Sequence, residues 1–423
     1  MKYPRVVIIG GGFAGLNLAK SLKKAKLDLI LIDKTNHHLF QPLLYQVATA
    51  ALSPAEIAYP TREIFRKQSN AMVIMGEVTF IDKEKKQLTF ANGDLIEYDY
   101  LVIATGTRHS YFGNDQWEAF APGLKTIKDA LKIREKILLS FETAERLESK
   151  EAAAKYLNFV VIGGGPTGVE MAGAIAEISR TTLVENFRKI RPETAQVFLI
   201  EAMNHILPGY SEKLSDEAKR ELESLGVKVI TGKKVTDITK DGVQTEDSFL
   251  ESNNVIWAAG NQASPLMKTL NVPLDKQGRI LVEPDLSIAG HPEIFALGDT
   301  SSLKGKNGLP LPGIAPVAIQ QGKYLAKLLE QELPPKNRPP FKYLDKGSMA
   351  TIGKGKAIAK IGKLEFGGLM AWLAWGLIHI LYLIGFKNRL GVLMEWITFC
   401  FTGQRGVRLI IGNVDGELPK KNP

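Results

Sequence analysis

The chain has 423 residues, 45% hydrophobic and 23% charged, which is room for two or three domains and excludes a disordered or fibrous polymer. A formal net charge of +9 suits nucleic acid, anionic lipid or plain solubility, but no zinc spacing, RNA-binding aromatic motif or basic recognition helix accompanies it, so nucleic acid is set aside. Cys400 is the single cysteine; it excludes an intramolecular disulfide and a redox cysteine pair, and in its apolar stretch it reads as packing.

The chain opens on Met1-Lys2 and enters a strand at once, leaving no apolar signal region, which predicts a cytoplasmic start. Val6-Val7-Ile8-Ile9 is an apolar strand that runs into Gly10-Gly11-Gly12-Phe13-Ala14-Gly15. In such a turn Gly10 permits the tight bend, Gly12 lets a pyrophosphate reach the backbone, and Gly15 lets the helix pack on the sheet. The helix N-terminus offers free N–H groups and the positive end of its dipole to the phosphates. Residues 27–32 read as the next strand and end at Asp33, a carboxylate able to accept bonds from ribose hydroxyls.

A loop-rich stretch follows over 35–59, then a hairpin or meander over 72–80 and 87–90 with Asn92-Gly93-Asp94 as a turn. Residues 100–104 form another buried strand, ending Ala104-Thr105-Gly106, and 128–156 carry apolar residues at helical spacing. Phe159 to Ile162 then repeats the first motif, with Gly163, Gly165 and Gly168 at the same spacing and Glu201 closing the next strand. Two dinucleotide cradles on one chain imply electron transfer between a flavin and a nicotinamide. Glu201 repels a 2′-phosphate, so the second cradle favours NADH.

Residues 215–225 form an amphipathic helix capped by Ser215 and stopped at Gly226; 227–230 and 255–257 are strands, the latter ending Ala258-Ala259-Gly260. Residues 294–297 run into the acidic turn Gly298-Asp299, 315–331 form a helix, and 334–340 are a proline-rich linker. A late return of Gly298-Asp299 to the first cradle would make the first domain discontinuous. The expected fold is α/β: two Rossmann-like dinucleotide-binding domains and a C-terminal helical membrane-anchoring region. Its segments are 1–112 with 285–343, then 113–284, then 344–423.

The sequence resembles the type II NADH:quinone oxidoreductases, single-chain respiratory dehydrogenases of the two-dinucleotide-binding flavoprotein fold that pump no protons. The run Asn36-His37-His38-Leu39-Phe40-Gln41-Pro42-Leu43-Leu44-Tyr45-Gln46-Val47-Ala48 carries the resemblance, as do Ala296-Leu297-Gly298-Asp299, Ala315 to Gln321, and Gly385-Phe386-Lys387-Asn388-Arg389-Leu390. The resemblance implies FAD in the first cradle and NADH, with Gly163, Gly165, Gly168, Glu201, Ala259 and Gly260, in the second. The expected FAD contacts are Gly10, Gly12, Phe13, Ala14, Gly15, Asp33 and Lys34, then Gln46, Ala104, Thr105 and Gly106, and last Gly298, Asp299 and Val317. Gly298-Asp299 would hold the ribityl chain.

The resemblance also implies two residues on the quinone side. The family's Ala-Gln-x-Ala-x-Gln reads Ala315-Pro316-Val317-Ala318-Ile319-Gln320 here, so Pro316 removes one amide and Gln320 is left to polarise a quinone carbonyl. Glu170, after the second glycine motif, would relay a proton or orient the ring; a helix-face carboxylate that only packs near the cofactor is the other reading.

Residues 366–386 carry no formal charge and could span a bilayer by length. Glycines, aromatics and flanking Lys354, Lys356, Lys360, Lys363, Lys387 and Arg389 instead favour a helix lying in the interface, on the cytoplasmic face of an anionic membrane. A homodimer contact is compatible with the same face. Another acceptor (a ferredoxin-like protein or a sulfide-to-quinone route) and a non-catalytic NADH sensor remain alternatives to the quinone enzyme.

Overall fold

The strand Arg5–Ile9 has Val6, Val7 and Ile8 at 0% exposure, the continuous apolar run that a parallel strand covered on both faces requires. In the computed structural model, which describes residues 3–305 and 308–411, this strand lies inside a six-stranded sheet. The order is Ser287–Ile288, His291–Ala296, Tyr100–Ile103, Arg5–Ile9, Asp28–Asp33, Ala71–Met75. All neighbours are parallel except the Ser287–Ile288 edge pair. Val7 pairs with Ile30 on one side and Leu101 on the other, so the chain leaves Ile9 where the strand order reverses, the usual ligand crevice of an open α/β sheet.

The chain divides into two compact units, the first holding Met1–Leu39, Ala58–Arg108 and Asn261–Lys346, and the second Phe40–Ile57, His109–Gly260 and Gly347–Pro423. These differ from the segments drawn on the sequence. Residues 261–284 join the first unit because Leu266, Met267, Leu270 and Ile280 pack in one core with Val7, Ile9 and Ile103. The end of the 344–423 segment and the Met1-Lys2 start lie outside the described residues.

The second unit repeats the architecture. Val227–Thr231, Gln196–Glu201, Asn158–Ile162 and Asn254–Trp257 form a four-stranded parallel sheet in that order. The same unit holds an antiparallel sheet of Ser348–Gly353, Lys356–Ile361 and Leu364–Gly367, followed by the helices Gly368–Tyr382 and Phe386–Thr402.

Several elements depart from the sequence reading. The 72–80 strand is two: Ala71–Met75 joins the parallel sheet, and Val78–Asp82 pairs with Gln87–Phe90. The helix over 128–156 is Ile127–Arg146 and Lys150–Leu157, with Ser149 capping the second through Ala152 N–H at 3.2 Å. The helix expected at 215 begins at Glu212 and is capped by Ser211; Ser215 is buried inside it and donates to the Ile206 carbonyl at 2.7 Å. The apolar run 366–386 is not one helix: Gly368–Tyr382 ends at the extended Leu383, and Gly385, at φ +91°, stands at the start of the next.

Candidate functional site

Both glycine turns have the same geometry. Gly10 and Gly163 each sit at φ +108°. A Cβ on Gly15 would lie 2.0 Å from the Gly10 carbonyl oxygen, and one on Gly168 would lie 1.8 Å from that of Gly163. At Gly12 and Gly165 an added Cβ would meet no protein atom within 4 Å. That open space faces the start of the helices Phe13–Ser21 and Pro166–Glu177, where free N–H groups receive phosphate. The shape fits a dinucleotide at each turn.

The acidic residues brace these turns. Gly11 N–H donates to Asp33 Oδ2 at 2.6 Å, and Thr35 donates its N–H and its hydroxyl to Asp33 Oδ1, each at 2.7 Å. Gly164 N–H donates to Glu201 Oε2 at 2.6 Å, and Met203 N–H to Glu201 Oε1 at 2.8 Å. A carboxylate offers about four lone-pair positions, so both retain capacity for ribose hydroxyls. Lys233, just past the strand beside Glu201, donates its N–H to the Glu201 carbonyl at 3.2 Å and escapes a linear reading of the sequence; its ammonium is paired with Asp247.

The Gly298 turn does return to the first cradle. A Cβ on Gly298 would lie 3.3 Å from Ala318 Cβ and 3.6 Å from Ala14 Cβ. Gly298 N–H donates to Gln321 Oε1 at 2.5 Å, and Gly106 N–H donates to Thr300 Oγ1 at 3.0 Å. Asp299 accepts from the Thr107 hydroxyl at 3.4 Å. Thus Ala104, Thr105, Gly106, Gly298 and Asp299 gather around the first motif, with Val317 buried on the adjoining helix Ala315–Glu330. Phe13 meets the His38 ring edge-on at 5.2 Å, and His38 Nδ1 bonds the Gly11 carbonyl at 3.0 Å. Lys34 is exposed at the rim. His38, Thr300 and Gln321 were missed as site residues; their signal is a buried polar side chain, which a sequence does not display.

A third feature lies wholly in the second unit: a cavity of about 60 Å³ lined by Tyr45, Gln46, Glu170, Trp375, Trp396 and Arg405 among others. Gly173 shapes it, since its missing Cβ would fall 1.8 Å from the Ile352 carbonyl oxygen. That close approach brings the Thr351 backbone onto Glu170. Burial pushes the Glu170 carboxyl well above the usual carboxylate range, against the opposing pull of the Thr351 hydrogen bond. Tyr45 is also raised, first by burial and then by the charge of Glu170. Trp396 donates its indole N–H to Gln46 Oε1 at 2.7 Å, and Gln46 Nε2 donates to the Tyr45 hydroxyl at 2.9 Å.

Comparison with known proteins fits these parts together. Residues 4–322 match the family model described as pyridine nucleotide-disulphide oxidoreductase, and residues 346–405 match the NDH2 C-terminal domain. The type II NADH:quinone oxidoreductase Ndh of Mycobacterium tuberculosis is 46% identical over 417 residues, which covers 95% of this chain and 89% of that protein. The chain belongs to the type II NADH:quinone oxidoreductases. A second M. tuberculosis member, NdhA, is 44% identical over 93% of this chain and 86% of its own. The solved structure of Plasmodium falciparum NDH2 in complex with NADH has a TM-score of 0.88 at 23% identity, covering 97% of this chain and 100% of that one; at that identity it speaks for the fold.

Within this type II oxidoreductase the sequence-derived residues fall into three groups. The residues expected for FAD collect in the first unit, except Gln46, which lines the cavity of the second. Those expected for NADH, Gly163, Gly165, Gly168, Glu201, Ala259 and Gly260, lie together in the second unit; a Cβ on Gly163 would lie 2.8 Å from Ala259 N. Gln320 and Glu170 are not brought into one unit. Gln320 Nε2 donates to the Leu344 carbonyl at 2.9 Å and its Oε1 accepts from Leu344 N–H at 3.0 Å, which leaves one hydrogen and one lone pair on the amide. Pro316 occupies the first turn of its helix, where a missing N–H removes no intrahelical bond.

Proposed function

We propose that this chain is a membrane-associated respiratory dehydrogenase that moves a hydride from NADH to FAD and passes two electrons to a membrane quinone, without pumping protons. The observation that carries the reading is the pair of matched cradles, each with an open glycine and a terminal carboxylate, on one chain with an aromatic cavity around a half-buried glutamic acid. The first cradle takes FAD and the second NADH. Bound FAD supplies a hydride acceptor that releases electrons one or two at a time. Asp33 and Glu201 fix the ribose ends, and the Gly298-Asp299 turn holds the ribityl chain. The cavity receives the quinone head. Glu170, kept neutral by burial, donates a hydrogen bond to a quinone oxygen and lends it a proton as charge builds there.

The C-terminal helices seat on the cytoplasmic face of the membrane. Leu369, Met370, Leu373, Leu377, Phe386 and Phe401 are 51–87% exposed, and no described helix is long and apolar enough to cross a bilayer. Such a face suits the interface plane, and part of it can also pair two copies of the chain. Arg389 has a further duty: its guanidinium donates to the carbonyls of Leu383 at 2.8 Å and Leu381 at 3.0 Å, closing the end of the preceding helix.

Steady-state NADH oxidation by the purified yellow protein tests the reading. Turnover should require a quinone and should not be supported by ferredoxin; sulfide should not replace NADH. Flavin reduction without turnover on any quinone would make the chain a sensor instead.

A further inference from the structure

Arg405 follows the helix Phe386–Thr402 and is 4% exposed. Its guanidinium divides its donors between two segments remote in sequence. One terminal nitrogen donates at 2.7 Å to the carbonyl of Thr49, just past the helix Leu44–Ala48 that carries Tyr45 and Gln46. The other donates at 2.7 Å to Oε2 of Glu177, the last residue of Pro166–Glu177. The two side chains of this ion pair are 3% and 11% exposed. Glu177 Oε1 accepts from Lys354 N–H at 2.5 Å, and the Phe399 ring lies 5.1 Å from the guanidinium. Glu170 and Glu177 stand two turns apart on one helix face, and Tyr45, Glu170, Glu177 and Arg405 line the same cavity.

A buried ion pair adds little net stability over apolar residues of equal volume, because desolvation offsets the attraction. What it specifies is geometry. A planar guanidinium can hold two acceptors at a fixed angle, whereas an ammonium acts as a point charge. We propose that Arg405 is a positioning residue for quinone reduction: by gripping Thr49 and Glu177 together it fixes the spacing between the Tyr45 helix and the Glu170 helix, and so the placement of the Glu170 carboxyl against the quinone. The proposal rests on the reading of this cavity as the quinone's.

The test uses full-length, flavin-loaded protein as R405K, E177Q and the double variant, with a short-chain soluble quinone as probe. In R405K, kcat/KM for quinone falls on the order of 10- to 100-fold, the scale of a misplaced catalytic group, while flavin reduction by NADH falls far less. The double variant is no worse than the poorer single, since both cut one linkage. If R405K yields no folded protein, E177Q carries the test, and the same selective loss is expected. Wild-type quinone kinetics in the folded variants, additive effects, or equal loss of both half-reactions with loss of flavin would overturn the proposal. A wild-type protein that cannot reduce the quinone would instead remove the reading of the cavity, and Arg405's role with it.

Discussion

Gly165→Ala separates ligand binding from folding at the second cradle. Gly165 has φ −71° and ψ 179°, a backbone any residue adopts, and its new Cβ meets no protein atom within 4 Å. A compatible glycine-to-alanine change gains about 0.4–1 kcal/mol through the unfolded chain, and alanine is the poorer helix cap by about 0.5–1 kcal/mol. The fold should therefore keep its stability. The methyl group fills the space through which the pyrophosphate reaches the backbone. Losing one charge-assisted hydrogen bond at about 1.5–3 kcal/mol corresponds to NADH binding about 10- to 100-fold weaker. Gly168→Ala is the contrast: its Cβ would lie 1.8 Å from the Gly163 oxygen, so that variant should lose about 1–3 kcal/mol or more of stability as the helix is pushed off the sheet. NADH titration of the oxidised flavoprotein and urea unfolding measure the two effects. Unaltered NADH affinity in a folded Gly165→Ala protein would refute the cradle.

Other consequences follow from the same geometry. Glu201→Arg should weaken NADH and shift preference toward NADPH, read as the ratio of kcat/KM values; an unchanged ratio would remove Glu201 from the ribose. Because burial raises the Glu170 carboxyl, the folded chain retains a proton that the unfolded chain gives up above about pH 4.5. Stability should thus decline as pH climbs from there toward the raised folded value, and Glu170→Gln should flatten that decline in pH-dependent urea melts; an identical slope would contradict a neutral Glu170. Leu373→Glu with Leu377→Glu, both exposed on one helix, should lower vesicle binding and leave flavin content intact, whereas full retention on vesicles would move the membrane face elsewhere.

The cradles were legible because their chemistry is local. A glycine at φ +108° and a helix start one turn later are set by neighbours in the chain, and the continuous apolar strands before them announce a parallel sheet. The cavity was only partly legible. Glu170 stands beside a recognisable motif, but Trp396 bonds Gln46 and Arg405 bonds Thr49 across more than three hundred positions of sequence. Helix starts were misread where a serine had two possible uses: Ser215 looked like a cap but bonds inward, while Ser211 does the capping. The division into units escaped because it depends on where Leu266 and Met267 find apolar neighbours, in the core of the first unit. A tail deletion illustrates the difference. Removal of 364–423 looks like loss of an anchor in the sequence, yet it would also take away Trp396 and Arg405 from the cavity wall, so point substitutions are the cleaner probe.

Sequential stopped-flow mixing addresses the whole account. The flavin's visible absorbance should bleach on mixing with NADH and return on mixing with a quinone, one quinol formed per NADH consumed. A flavin that NADH leaves oxidised, or one that stays bleached in the presence of quinone, would contradict it.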